Sequence, residues 1–238
     1  MSSLLNPLKA LFAWPPLRYR LMFSDSFNLH PDETAFKHVL EFAAHTESGG
    51  DYLEFGVWKG RSFARMYHLS RYLQKSRPAL ASMRFYAFDS FEGLPPPKGI
   101  DRATQEFHEG QYAASEAEFR ENMAKAGVDL ARVTTIKGWY DQVLNEETRK
   151  KLPLKKAAVI LIDADLYEST VPVLDFITPY LVDGTVILFD DWFCFRGSPD
   201  RGEQRAFREW LLRNPHVTVS EYRRYNWKSN SFIVHIAP

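Results

Sequence analysis

Four aspartates stand at the ends of two apolar runs of this sequence. Asp163 and Asp165 close the first run, and Asp190 and Asp191 close the second. Carboxylates that lie together repel one another unless a cation holds them, and carboxylates that point apart are simply solvated. If the two runs are neighbouring parallel strands, their ends meet in the crevice where open α/β sheets bind ligands. Asp163, Asp190 and Asp191 then form an oxygen site suited to Mg²⁺ or another divalent cation.

This interpretation places a condition on one pair and leaves one aspartate over. Adjacent residues of a regular strand point to opposite faces, so Asp190 and Asp191 can share an ion only where the strand has turned into a loop. Asp165 begins the next turn, close to the predicted cation but free to face a second substrate. Its alternative role is to cap the helix that follows.

A second set of candidate residues surrounds the glycines of "EFGVWKG". Glu54, Gly56 and Gly60 lie between an apolar run and a helical stretch, where glycine permits a tight turn and a close approach by a ligand. The loop lacks the middle glycine of the dinucleotide fingerprint, and its acid suits an amine better than a phosphate. Asp89 ends the next run, where doubly wound folds place the acid that binds ribose hydroxyls. An acid for an amine and an acid for a ribose, without a phosphate cradle, favour S-adenosylmethionine over NAD. The alternative is a structural glycine turn with Asp89 as a turn or capping residue.

The hydrophobic periodicity predicts the elements that position these residues. Strands are expected at 51–57, 83–89, 132–138, 157–164, 185–191, 216–222 and 231–237, and helices at 31–44, 61–75, 116–127, 202–212 and between the two aspartate-bearing runs. The alternation predicts an α/β fold, namely a Rossmann-like doubly wound sheet of seven strands. The last two strands are joined too closely for a parallel crossover, so they should form a C-terminal antiparallel hairpin.

The sequence also predicts a division of the chain. Residues 1–48 are expected to form an N-terminal helical segment that covers the second substrate or joins subunits of a homo-oligomer, and residues 49–238 the catalytic domain. The Pro/Gly-rich stretch 91–115 is expected to act as a lid. The apolar start is interrupted by Asn6, Pro7 and Lys9, which argues against a signal peptide or a transmembrane segment, while attachment to a membrane surface stays open.

The composition excludes some partners. Thirty Lys and Arg residues balance thirty Asp and Glu residues, so we expect no nucleic-acid partner. The single cysteine, Cys194, cannot form an internal disulfide, which fits a cytoplasmic protein.

Five motifs in order carry a resemblance to a known family. "EFGVWKGRS", "FYAFDSFEGLP", "IKGWYDQVL", "IDADLYEST" and "VILFDDW" are similar to those of the macrocin O-methyltransferase family, over roughly residues 50–210. The resemblance implies a class I S-adenosylmethionine-dependent enzyme that methylates sugar hydroxyls of natural products with a divalent metal. The donor-binding residues that we predict are Glu54, Gly56, Val57, Gly60, Ser62, Asp89, Ser90, Gly138, Trp139 and Asp163.

The resemblance also implies roles for the four aspartates. Asp163, Asp190 and Asp191 match the metal ligands of the family, and Asp165 matches its general base. A base is needed because a hydroxyl is a poor nucleophile until it loses its proton. Two other uses of such acids are those of a haloacid-dehalogenase-like phosphatase and a metal-dependent glycosyltransferase. A non-enzymatic S-adenosylmethionine-binding module is a third alternative, but it predicts no use for the acids. A methyltransferase acting on a non-sugar hydroxyl is a further alternative.

Overall fold

The computed structural model describes residues 31–46 and 49–236, and it confirms the predicted α/β fold. One seven-stranded sheet has the strand order β3-β2-β1-β4-β5-β7-β6. The strands are β1 (Asp51–Phe55), β2 (Phe85–Asp89), β3 (Val133–Lys137), β4 (Ala157–Ile162), β5 (Val186–Phe189), β6 (Val217–Glu221) and β7 (Asn230–Ile236). The helices are α1 (Pro31–His45), α2 (Arg61–Leu73), α3 (Glu116–Lys125), α4 (Tyr140–Val143), α5 (Glu146–Lys151), α6 (Tyr167–Ile177) and α7 (Gly202–Arg213).

The two runs that precede the aspartates are the neighbouring parallel strands β4 and β5, as predicted. Every residue of both strands is buried, because helices cover both faces of the sheet. The strands end before the predicted boundaries, at Ile162 and Phe189. All four aspartates therefore lie in loops, and the condition for a shared ion at Asp190 and Asp191 is met.

The predicted C-terminal hairpin is also confirmed. Strands β6 and β7 pair antiparallel, and β7 lies between β5 and β6 in the sheet. The chain between these two strands therefore starts and ends near the carboxyl end of β5. This placement brings residues 222–229 to the edge where the aspartates meet.

Helix α1 is part of the main body. Its apolar residues share one core with α2 and with one face of the sheet; they are Ala35, Phe36, Val39, Leu40, Ala43 and Ala44. The other face packs against α6 and α7. Over the described residues, no helix has both the length and the apolar character needed to cross a bilayer. Residues 1–30, to which the N-terminal prediction mainly refers, lie outside the described part.

Candidate functional site

A cavity of about 650 Å³ opens at the carboxyl ends of the central parallel strands. This edge is where open α/β sheets bind ligands, because the strand order reverses there between β1 and β4. The cavity is lined by most of the residues predicted from sequence, namely Gly56, Ser62, Asp89, Ser90, Gly138, Trp139, Asp163, Asp165 and Asp190. Four predicted residues do not line the cavity and are buried: Glu54, Val57, Gly60 and Asp191.

The two glycines of the first loop allow neighbouring segments to pack closely against it. Gly56 has φ 90°, and a Cβ there would lie 1.9 Å from the carbonyl oxygen of Asp163. The β1–α2 loop can thus touch the loop after β4 only with glycine at this position. Gly60 has φ 84° and faces the side chains of Phe119 and Met123 on α3.

Glu54 is fully buried beneath the cavity rather than on its surface. Its two carboxylate oxygens accept hydrogen bonds from the hydroxyls of Ser62 and Tyr52, each at 2.5 Å. Burial raises the pKa of Glu54 to about 8, while these two hydrogen bonds lower it. Ser62 lines the cavity, so Glu54 is positioned to act on a ligand through the Ser62 hydroxyl.

Asp89 holds the two loops that flank the cavity. Its Oδ2 accepts the backbone N–H groups of Val57 (2.8 Å) and Trp58 (2.9 Å), and its Oδ1 accepts that of Phe91 (2.7 Å). Burial raises the pKa of Asp89, and the backbone hydrogen bonds oppose that shift. Asp89 therefore has the turn-forming role weighed for it from sequence, and it also lines the cavity where the donor ribose is predicted.

The acidic cluster forms where the loops after β4 and β5 meet. Asp163, Asp165 and Asp191 each offer a carboxylate oxygen, and these oxygens all lie within 4.8 Å of one another. Burial, and then the charges of Asp190 and Asp191, raise the pKa of Asp163 well above its ordinary value. Asp190 thus belongs to the same group of charges. So many close carboxylates are unfavourable as free anions, and a cation would relieve their repulsion.

Asp191 and its neighbour Glu203 test whether a cation fits. Asp191 Oδ2 and Glu203 Oε1 are buried, and neither accepts a hydrogen bond from any donor in the described part of the chain. The other oxygen of Glu203 accepts the backbone N–H of Asp191 at 3.0 Å, and Cys194 Sγ donates to Asp191 Oδ1 at 3.2 Å. A buried carboxylate oxygen that accepts no hydrogen bond is costly. The possible metal ligands here are all carboxylate oxygens, which fits Mg²⁺ or a similar hard cation.

Lys228 is a charged cavity residue that the sequence did not reveal. It lies between β6 and β7, and its Nζ contacts Asp190 Oδ2 at 2.6 Å and Asp191 Oδ1 at 2.7 Å. The charges of Asp191 and Asp190 raise the pKa of Lys228 despite its burial. No local motif marks this lysine; only the insertion of β7 beside β5 brings it to the acids.

Asp165 does not cap helix α6. The N-cap residue is Leu166, which has no side-chain cap, and Asp165 itself has φ 58°. The cap comes from Asp101, in the loop after β2, whose Oδ2 accepts the N–H of Tyr167 at 2.7 Å. Its Oδ1 accepts the N–H of Gly202 at the start of α7, at 3.3 Å. The alternative role of Asp165 as a cap therefore loses its geometric basis, and Asp101 is a second residue missed from sequence.

The loop predicted as a lid is tied to the rest of the site. Besides Asp101, it contributes Glu106, whose Oε2 accepts the N–H of Phe195 at 2.8 Å. The ring of Phe107 packs on that of Phe195 with centroids 5.5 Å apart. These contacts fasten the loop to the segment that follows the second aspartate pair.

Comparison with known proteins shows that the chain is similar to several O-methyltransferases. The chain is 31% identical over 148 residues to 8-demethyl-8-(2,3-dimethoxy-alpha-L-rhamnosyl)-tetracenomycin-C 4'-O-methyltransferase of Streptomyces olivaceus, a match that covers 60% of this chain and 53% of the relative. The chain thus spans about half the length of this curated relative.

Solved structures share the fold. The O-methyltransferase NovP superposes with a TM-score of 0.69 at 21% identity, over 87% of this chain and 82% of NovP. The O-methyltransferase TomG from Streptomyces achromogenes, in complex with SAM, gives 0.55 at 15% identity, over 95% of this chain and 88% of TomG. The family description Macrocin-O-methyltransferase (TylF) matches residues 31–211, most of the chain and all of the cavity-forming loops up to α7. The chain therefore belongs to the macrocin-O-methyltransferase family.

Proposed function

We propose that the protein transfers a methyl group from S-adenosylmethionine to a hydroxyl of a sugar or of a sugar-bearing natural product, with a divalent cation at the acidic cluster. The observation that carries the proposal is the convergence of buried carboxylates beside a cavity in a chain of this family. Family membership favours methyl transfer over the phosphatase and glycosyltransferase alternatives. The sugar acceptor is suggested by the tetracenomycin relative, whose name describes a rhamnosyl substrate.

The donor would lie along the ends of β1, β2 and β3. Asp89 at the cavity wall is suited to the ribose hydroxyls, because a carboxylate oxygen that already accepts amides can still accept a further hydrogen bond. Ser62, supported by Glu54, is suited to the amino acid end of the donor. Gly138 and Trp139 offer backbone and an aromatic surface for the adenine. TomG holds SAM in the same fold, which supports this choice of donor.

The acceptor would lie over the aspartates. Asp163, Asp190 and Asp191 would hold a Mg²⁺ or similar ion, which would lower the pKa of an acceptor hydroxyl. Asp165, which caps no helix, is free to take the hydroxyl proton as the methyl group moves from sulfur to oxygen. The products are a methyl ether, S-adenosylhomocysteine and the proton left on Asp165.

The test combines donor binding with turnover. The protein is incubated with methyl-labelled S-adenosylmethionine and a panel of glycosides, with Mg²⁺ or with EDTA. We expect label transfer that disappears with EDTA and returns with Mg²⁺, while calorimetry shows that donor affinity largely survives chelation. Asp89→Ala should weaken donor binding by roughly 1–3 kcal/mol, and the exposed Asp129→Ala should not. Binding of NAD without S-adenosylmethionine, or full turnover after exhaustive chelation, would contradict the proposal.

A further inference from the structure

Two aromatic side chains at the cavity have no part in the chemistry described above. Trp58 is 42% exposed and Tyr112 is 48% exposed, and both line the cavity. They come from different loops, yet their rings meet edge to face with centroids 5.8 Å apart and planes at 73°. The other large apolar side chains found exposed in the described residues, Leu212 and Trp227, do not line the cavity. Exposed aromatic surface within a cavity is typical of a ligand contact.

The backbone holds both rings in an unusual conformation. Trp58 has φ 44° and Tyr112 has φ 59°, in the left-handed region that bulky residues rarely adopt. The Trp58 amide is fixed by its hydrogen bond to Asp89. The two residues before Tyr112 exchange backbone hydrogen bonds with Leu94, both of 2.9 Å. Strain that the surroundings maintain in this way clusters at ligand sites.

Trp58 and Tyr112 line the cavity that also holds the residues predicted for the reaction. The backbone N–H of Trp58 donates to Asp89, which lines the cavity where the donor ribose is predicted. Tyr112 lines the same cavity as Asp165, the aspartate predicted to take the proton. The aromatic pair therefore borders the space that the donor and the acceptor would share.

We propose that Trp58 and Tyr112 form a stacking corner for the pyranose ring that carries the reacting hydroxyl. The proposal rests on the proposed function. A pyranose has apolar C–H faces and hydroxyls at its edge, so aromatic rings can pack against the C–H groups while the hydroxyls stay free. Two rings with planes at 73° form a corner, which fits the non-planar chair of a pyranose better than a planar nucleobase. A sugar held there would share the cavity with Asp165 and could present a hydroxyl at its edge to that aspartate.

The test measures sugar binding without requiring turnover. Saturation-transfer NMR is recorded with methyl hexopyranosides of several configurations, with and without S-adenosylhomocysteine. We expect saturation of the ring C–H protons in the wild type, and roughly 5–10-fold weaker binding in Trp58→Ala and in Tyr112→Ala. Tyr112→Phe, which keeps the ring, should bind nearly as the wild type does. Trp227→Ala is the matched control, since this tryptophan is 78% exposed but outside the cavity.

Donor affinity, measured by calorimetry on the same proteins, separates the two proposals. Loss of hexoside binding in both alanine variants with donor affinity unchanged supports the stacking corner. The same loss in a protein that binds no S-adenosylmethionine also supports it, while the proposed function fails. Weaker donor binding with intact hexoside binding assigns the pair to the donor and overturns the proposal. It is equally overturned if no hexoside is saturated in the wild type, or if flat phenols replace sugars as the ligands lost in the variants.

Discussion

The ammonium group of Lys228 lies 2.7 Å from Oδ1 of Asp191, so the chain itself supplies a positive charge to the acidic cluster. The side chain of Asp191 is 2% exposed and that of Lys228 is 27% exposed, so the pair is only partly screened by solvent. Lys228 and a divalent cation would therefore be drawn to the same negative charge. Because such effects are reciprocal, the lysine should weaken cation binding, and a bound cation should loosen the lysine.

Lys228→Met should distinguish the effect of the lysine charge from that of the cation, because it removes the first and leaves the site for the second. In EDTA the variant should lose roughly 1–3 kcal/mol of unfolding free energy, because the buried acids lose their counter-charge. Mg²⁺ should raise its Tm more than it raises that of the wild type. Chemical denaturation and thermal scans at matched Mg²⁺ concentrations measure both quantities. Lys125→Met is the control, since its exposed pair with Glu121 should contribute little.

Loss of the Mg²⁺ effect in Lys228→Met would contradict this prediction. If Mg²⁺ no longer raised the Tm of the variant, the ion pairs of Lys228 with Asp190 and Asp191 would be needed to position these carboxylates for the cation.

The pH dependence of stability should report the buried acids. Burial raises the pKa of Glu54 from 4.5 to about 8, and burial also raises those of Asp163, Asp165 and Glu203. For an acid with a raised pKa, the folded state binds more protons than the unfolded state between the two values, so stability falls as pH rises through that window. In EDTA, the Tm should therefore decrease from about pH 5 to about pH 8.

Two additions to this experiment identify the groups involved. Mg²⁺ should reduce the decrease, because a cation favours the ionised aspartates, and Glu54→Gln should reduce it by removing one of the titrating acids. Glu121→Gln, at an exposed helix position, should leave the slope unchanged. A Tm that rises from pH 5 to pH 8 in EDTA would mean that the acids are compensated within the folded chain.

Asp101 should matter for the geometry of the site. Its carboxylate accepts the N–H of Tyr167, two residues after Asp165, and the N–H of Gly202, one residue before Glu203. Asp101→Ala should lower the unfolding free energy by about 1–2 kcal/mol, as expected for a lost cap. It should also lower kcat more than it raises the KM of the donor, because both of its hydrogen bonds go to the segments that carry Asp165 and Glu203.

Asp101→Asn tests whether both carboxylate oxygens are needed. Asparagine has one acceptor oxygen, so this variant can keep the bond to Tyr167 or the bond to Gly202 but not both, and it should recover only part of the stability and turnover. Full recovery in Asp101→Asn would show that one of the two bonds contributes little.

The fold could be predicted from sequence because local patterns decide it. The apolar runs before Asp163 and Asp190 are too continuous for a half-exposed strand, and the short link between the last two strands permits only a hairpin. Most of the residues predicted for the donor and the cation line one cavity for the same reason, since strand ends of a parallel sheet converge at one edge. The predicted strands included Asp163, Asp190 and Asp191, whereas the strands end just before them, at Ile162 and Phe189.

The residues that were missed depend on contacts between distant parts of the chain. Lys228 reaches Asp191 across 37 positions, and Asp101 reaches Tyr167 across 66. Neither belongs to a motif, and an aspartate in a loop looks like any solvated loop residue. The assignment of Asp165 as a possible cap failed for a related reason: the helix after it has its cap, but from another loop.

Asp165→Asn and Asp163→Asn together test the division of labour in the acidic cluster. Both changes are nearly isosteric, and asparagine tolerates the left-handed backbone at position 165, where φ is 58°. If Asp165 takes the proton, Asp165→Asn should leave Mg²⁺ and donor affinity nearly intact and reduce turnover by about 10²–10⁴-fold. Asp163→Asn should instead weaken Mg²⁺ binding, measured by calorimetry, and with it acceptor binding. The oxygens of Asp165 and Asp163 share one cluster, so a loss of Mg²⁺ affinity in Asp165→Asn as large as in Asp163→Asn would make Asp165 a ligand rather than the base.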